Sequence, residues 1–538
     1  MAAEEKFDHD HLAYVRLRSP QQHATALNVP DAADVNEILR SNLALRSTYR
    51  ESLTVFSALA RHNVFEAAVE YTRKYLPEVD QWLPEISTDR VVMAGHQPTL
   101  FHPGVWYKNF RLDALATRFD AVAINLVVDN DLLSSPTIGC PVRSNAVRSN
   151  ADASASVVLL RMDPPAAPLP YEHRSILDAQ CFKKFHQSAT EAIESVVANP
   201  MVSELWPEVM AAREILGDRS MGQVLAAGRH RLEWRLGLRT LEVPVSHVSG
   251  TQAFGSFVAR IFIDIENFQK IYNRVLLRYR NEHGIRSSAH PVPELTGVDQ
   301  WLETPFWIWT GVDPQRRRLF MKTDDRHFHL SDLNQFQRSV DIGEFPQWWS
   351  DNVKTGQVCI RPRALATTMF SRLLVCDLFI HGIGGAKYDQ LTDQIISDFF
   401  DVSPPEYLTS TATFRLPLAD DRVTKEDVSN RRQRLREYKF HPEKFVSPSA
   451  ETDSLKQQKR SAIKALNSGD DKKSAHAKIE AVNQKLSKML QHQAAATELE
   501  IEQLKSQVRC SQILHSREYS FALHPNSIVE ELKTLARQ

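Results

Sequence analysis

The chain has 538 residues, with 65 lysines and arginines against 66 aspartates and glutamates and a formal net charge of −1. That balance gives no electrostatic reason to expect nucleic acid or an anionic membrane as the main partner. No apolar run approaches the roughly 20 residues that span a bilayer, and the polar, acidic start does not read as a secretory signal. The five cysteines, Cys140, Cys181, Cys359, Cys376 and Cys510, are scattered and form no CxxC pair. They suit a reducing, cytoplasmic setting, need no disulfide, and argue against a cysteine-only zinc site.

In chain order, residues 1–90 read mostly as helices, with good helix formers over 32–75 and a stop at Pro77. From residue 91 the character changes. Residues 91–94 are short, apolar and β-rich and lead through a Pro- and Gly-bounded loop into a helix over 105–118. Residues 121–128 then form a nearly continuous apolar strand ending in Asp129, Asn130 and Asp131. Strand, loop, helix, strand is a βαβ unit, whose parallel strands are buried on both faces. A further strand is predicted at 156–162, helices near 174–198 and 203–229, a strand at 241–248, and a helix over 254–279. Residues 285–355, richer in Pro and Trp, read as an inserted substrate-covering region. A βα signal returns with a helix at 363–375, a strand at 378–380, and a glycine-rich turn opening a helix to Phe400. Residues 421–512 are charged and nearly free of aromatics. They predict helices at 424–438, 451–467 and 471–510, paired as an antiparallel coiled-coil arm with its tip at 468–470. Residues 513–538 return to the body as a strand and a helix. The fold class is therefore α/β: a core in two parts, 91–284 and 356–420, with insertions, a helical N-terminal region and a C-terminal arm.

Chemistry concentrates at strand ends. The loop Gly95, His96, Gln97 to His102 and Gly104 joins a strand to a helix start, where free backbone N–H groups and a partial positive charge suit phosphate. His96 and His102 can donate to phosphate or stabilise charge developing on it; the alternative is that both cap or pack the turn. Gly382, Gly384 and Gly385 open a second helix and can let backbone approach a nucleotide, with Lys387 adding charge, although neither a GxGxxG nor a P-loop pattern is present. Asp129 and Asp131 can orient an amine, a sugar hydroxyl or Mg²⁺, or cap a turn. Ser246, His247, Ser249 and Thr251 at another strand end suit substrate recognition, or capping. His327 and His329 form an HxH read as a surface feature, and Trp301, Trp307 and Trp309 read as core or pocket wall. No metal site is assigned.

The segment from Gly95 to Gly104 and the following Val105, Trp106, Tyr107, Lys108 and Asn109 resemble the Gln-Gln-x-Gly-Leu-Phe-x-Gly-Pro-x-Tyr region of the bacillithiol biosynthesis cysteine-adding enzyme family. Arg361 and Pro362, leading through the 365–374 helix to Gly382, Gly384 and Gly385, resemble that family's Arg-Pro helix and Gly-Gly-Pro-Gly-Glu turn. The resemblance implies a Rossmann-like, nucleotidyltransferase-type core, an ATP or ADP site, a reaction joining cysteine to glucosaminyl malate, and dimers formed through the coiled coil. Three departures fall at the substrate site. His96 stands within the family's Gln-Gln, the acidic run after the second strand is reduced to Asp129, Asn130 and Asp131, and the final acid of the turn is replaced by Lys387.

The expected function is a nucleotide-using ligase of the carbon–nitrogen type, joining cysteine or a related amino acid to an amino-sugar acceptor, with His96, His102, Asp129 and Asp131 at the reacting centre. Two rivals are a WbqC-like enzyme, since His96, Gln97 and Pro98 followed by aromatics are similar to that family's strand end, and a decayed enzyme acting as a scaffold through its coiled coil.

Overall fold

The structure, a computed structural model, describes residues 17–31, 34–83, 89–143, 155–418, 423–468 and 471–538. The chain divides into two compact units. The first takes the described residues of 1–139, 159–416 and 517–538, the second those of 140–158 and 417–516.

The first unit is mixed α/β around a six-stranded sheet. Its strands are β1 (Thr25–Val29), β2 (Val91–His96), β3 (Val122–Val127), β4 (Leu241–Pro244), β5 (Leu378–His381) and β6 (Tyr407–Thr413), in the order β1-β6-β5-β2-β3-β4. Strands β2 to β6 are parallel to their neighbours, and β1 closes one edge antiparallel to β6. Every residue of β3 is buried, which is why it reads as a continuous apolar run rather than an alternation. The helix Pro103–Phe119 connects β2 to β3. It starts where Pro103 supplies a preset φ behind the His102 cap, and ends at Asp120, which adopts the left-handed conformation with φ 48°. Its Leu112, Leu115, Ala116 and Phe119 pack on Val92, Ala94, Ala123, Leu378 and Ile380 of the sheet. At Gly104 an added Cβ would lie 2.3 Å from the Ala412 carbonyl oxygen of β6, so only glycine lets the helix start seat against that strand.

Several sequence expectations change. Residues 1–90 hold the expected helices Val35–Ser47 and Glu51–Arg73, but also β1. All five β1 residues are half-buried, leaving no alternation to read. The region 285–355 contributes to an antiparallel sheet ordered Gln337–Asp341, His327–Ser331, Arg317–Thr323, Trp301–Thr310 and Val358–Pro362. Phe306, Ile308 and Trp309 are all buried there, so the strand Trp301–Thr310 is covered on both faces and its period-2 signal is erased. The strand expected over 241–248 stops at Pro244, and Val245–Ser249 is a short helix. The strand expected after Glu518 is a single 3₁₀ turn, Phe521–Leu523.

Among the described residues the second unit contains the α-helices Lys425–Phe440, Ala450–Ser468, Lys472–Met489 and Gln491–Leu514. Ala450–Ser468 packs along Lys472–Met489, and Lys425–Phe440 along Gln491–Leu514. Tyr438, Leu455, Val482, Leu486 and Leu490 form one apolar cluster; Val428, Ile501 and Val508 form another. Thr424 and Asp427 make a capping box at the first helix. The single helix expected over 471–510 is broken at Leu490. Of the expected tip, Gly469 and Asp470 lie outside the described residues. Among the described residues no helix is long and apolar enough to cross a membrane, and no two cysteines are joined by a disulfide.

Candidate functional site

Parallel strands deliver their C-terminal ends to one edge of the sheet. At this edge lie His96 at the end of β2, Asp129 and Asp131 after β3, Ser246 and His247 after β4, and Gly382 after β5. Moving outward from β2, the chain runs first to β3 and β4 on one side, then returns to β5 and β6 on the other. The order therefore reverses between β2 and β5.

On the β3–β4 side, Asp129 is fully buried. Its carboxylate accepts hydrogen bonds from the Ser246 backbone N–H at 3.0 Å and the Ser246 hydroxyl at 2.5 Å. Burial, followed by the neighbouring Glu172 carboxylate, pushes Asp129 up to about 7. Asp131 is reached from two directions, by the Gln97 amide at 3.2 Å and by Arg316 at 3.1 Å. The β2 loop and the β3 loop are thus tied together. Beyond Ser246 opens a cleft of about 830 Å³ whose wall includes Lys74, Glu172, Gln223, Ser246, His247 and Arg361. Arg361 and Glu172 form a two-pronged ion pair with both contacts at 2.9 Å. His247, edge-on to Tyr71, is lowered to about 4 by burial and then by Lys74 and Arg361, so it is neutral at pH 7. Thr251 lines the same cleft while capping the helix Gln252–Ile263. Ser249 does not reach it: it is buried and donates to the Val245 carbonyl.

At the reversal between β2 and β5 the two imidazoles take different roles. His96 donates from Nδ1 to the Gln97 carbonyl at 3.2 Å, so its Nε2 is an acceptor when the ring is neutral. His102 accepts the Gly104 N–H on Nδ1 at 3.0 Å, which caps the helix and leaves Nε2–H as the donor, 3.5 Å from Glu518. Burial lowers His96 to about 3 and His102 to about 4. At neutral pH neither is a cation, and of the two His102 is the one able to donate. The cation here is Lys108, which sequence reading left unassigned because a lysine on a helix usually faces water. It is only 4% exposed, donates to the Gly95 carbonyl at 2.8 Å, and is lowered to about 8 by burial and then by Arg229. Lys108 lies close enough to His96 and to His381 to depress both.

Across the reversal, the helix Ile383–Ile395 begins with no side-chain cap. Cβ atoms added at Gly382 or Gly384 would enter open space, whereas one at Gly385 would lie 2.7 Å from His381 Nδ1. Gly385 is therefore small to make room for His381, which is itself held by Asp389 at 2.7 Å, and the free approach to this turn is over Gly382 and Gly384. Lys387 is exposed. Gly95 sits within β2, where a Cβ would press on the Leu126 backbone at 3.0 Å. His327 and His329 lie elsewhere, both paired with Asp324, at 3.3 and 2.9 Å; that acidic partner was missed because it lies across the turn into their strand. Glu172, Gln223 and Arg361 carried no local pattern that marks a cleft. No family model matches the chain, and no curated protein matches it.

Proposed function

We propose that this chain is a nucleotide-using enzyme of the carbon–nitrogen ligase or transferase class, built on a Rossmann-like core of nucleotidyltransferase type. One observation carries the reading: the parallel strands run β4-β3-β2-β5-β6, and the reversal between β2 and β5 holds His96, Lys108 and an uncapped helix start. In open α/β sheets the crevice at such a reversal is where nucleotides bind, and a helix N-terminus favours phosphate. ATP or ADP, with Mg²⁺, is the ligand proposed there. The Gly382 and Gly384 backbone meets phosphate or ribose, and His102 Nε2–H is the neutral donor for charge developing on phosphate.

The acceptor occupies the cleft beyond β4. Its volume of about 830 Å³ falls within the roughly 300–1,000 Å³ of small-molecule sites. Ser246 and His247 contact its amine, with Asp129 holding Ser246 in position and Asp131 tying the β2 and β3 loops together. The resemblance to the cysteine-adding family supports cysteine or a related amino acid and an amino-sugar acceptor as the pair joined in the cytoplasm. It also supports a homodimer formed by the helices of the second unit as an antiparallel coiled coil. Light scattering on the full chain is expected to give twice the mass of one chain; a monomer contradicts the dimer.

Calorimetry with Mg-ATP tests the nucleotide site. Wild type is expected to bind, and Gly384→Val to bind at least about 10-fold more weakly, a loss of about 1.4 kcal/mol, with an unchanged melting temperature because its side chain enters open space. Absence of binding by wild type, or equal affinity of the folded variant, rules the site out.

A further inference from the structure

Three side chains of different chemistry meet beside the cleft without any role in the reading above. Glu172 and His173 follow the short strand Leu169–Pro170, and Cys359 lies on the strand Val358–Pro362. One ligand atom from each, a carboxylate oxygen, an imidazole nitrogen and a thiol sulfur, lies within 4.8 Å of the others. Cys359 Sγ is 3.8 Å from His173 Nε2, and His173 Nε2 is 3.9 Å from Glu172 Oε2. We propose that Glu172, His173 and Cys359 form a site for a thiophilic divalent metal, zinc foremost, with its fourth position open to the cleft.

The distances suit this. Bonds of about 2.3 Å to sulfur and about 2.1 Å to nitrogen or oxygen give tetrahedron edges of about 3.4–3.6 Å, so the two separations from His173 need to close by about 0.2–0.5 Å, and the sulfur and carboxylate oxygen close from within 4.8 Å. The donor set is the mixture of thiolate, imidazole and carboxylate that zinc takes, with three protein ligands rather than the four of a closed structural site. Glu172 remains able to ligate although Arg361 holds it, because each carboxylate oxygen has a second lone pair.

The surroundings match the charge of such an ion. Glu172 and a Cys359 thiolate against Arg361 leave one net negative charge, and Asp129 adds a second when ionised; a divalent cation neutralises them. Trp309 pairs in register with Cys359, and its buried Nε1 has no hydrogen-bond partner. An indole N–H beside a metal-bound thiolate is a supporting donor of the kind that tunes ligating sulfur. Access runs through the cleft, where Glu172, Gly356 and Arg361 form the wall and the His173 side chain is a quarter exposed.

The site stands independently of the nucleotide, so its test omits nucleotide. Full-length protein, reduced and stripped with chelator, is titrated with cobalt and then zinc. Wild type is expected to bind one equivalent of cobalt with a near-ultraviolet thiolate charge-transfer band, displaced by zinc. Cys359→Ser is expected to abolish the band, and zinc affinity to fall on the order of 10–100-fold or more. His173→Gln changes a partly exposed ring, is expected to retain the wild-type melting temperature, and loses affinity similarly. No thiolate band in wild type, a band that survives Cys359→Ser, or wild-type zinc affinity in a folded His173→Gln variant would each overturn the proposal.

Discussion

Arg229→Met is expected to cost about 3–5 kcal/mol of stability, the penalty for leaving buried carboxylates without their cation. Arg229 is buried between Glu233 and Glu242, and both carboxylates are themselves buried. Glu242 also accepts from Asn125 at 2.6 Å; Glu233 accepts from Trp106 at 2.8 Å and Asn109 at 2.7 Å. These amide and indole donors are too few to hold two negative charges in a dry interior. The pH dependence follows from the direction of the shifts. Burial already raises both carboxyls above their ordinary value, and loss of Arg229 raises them further. Between the ordinary carboxyl value and the raised one, the native state binds protons that the unfolded chain does not. Stability therefore falls as pH rises through that window. Thermal melts should show the variant most damaged at pH 8 and partly recovered at pH 5. Adding Glu233→Gln and Glu242→Gln should recover much of the loss. A deficit below about 1 kcal/mol, or one that deepens at pH 5, contradicts this account of the network.

Lys108→Met is expected to separate stability from binding. The amine is buried with one hydrogen bond and no carboxylate partner among the described residues. Removing its charge while keeping its volume should leave the melting temperature unchanged or higher. Mg-ATP should bind about 10–100-fold more weakly, the loss expected for a charge-assisted contact of about 1.5–3 kcal/mol. Lys108 is lowered from 10.5 to about 8, so between those values the unfolded chain binds the extra proton. The stability of wild type relative to Lys108→Met should then rise from pH 8 to pH 10, by up to about 3 kcal/mol, the buried thiols and phenols shared by both proteins cancelling in that difference. His96, His102, His381 and Arg229 around Lys108 do not mimic it, because the three imidazoles are already neutral above pH 7 and the guanidinium stays charged. If affinity is untouched in a folded Lys108→Met variant, phosphate is not held by this amine.

What could be read directly from sequence was local. β2, the helix behind it and β3 were legible because a buried parallel strand is a short apolar run and Pro103 marks a helix start. The antiparallel sheet was not, since Phe306, Ile308 and Trp309 are buried together and a strand covered on both sides has no alternation. The loop from Gly95 to Gly104 stood out through its punctuation, but its chemistry depended on which nitrogen of each imidazole was already engaged. Pairs distant in sequence left no trace: Asp129 with Ser246 across 117 residues, and Glu172 with Arg361 across 189. Gly385 shows the limit of reading a glycine alone. It was expected to face a ligand; it faces His381, and its neighbour Gly384 faces open space.

Crystals of the full chain soaked in Mg-ATP test the central claim most directly. The account predicts the triphosphate at the C-terminal ends of β2 and β5, with oxygens within hydrogen-bond reach of the Gly384 N–H and His102 Nε2, and the cleft beyond β4 left for the acceptor. Phosphates found in that cleft instead, or no nucleotide in a protein that calorimetry also shows not to bind it, would contradict the account.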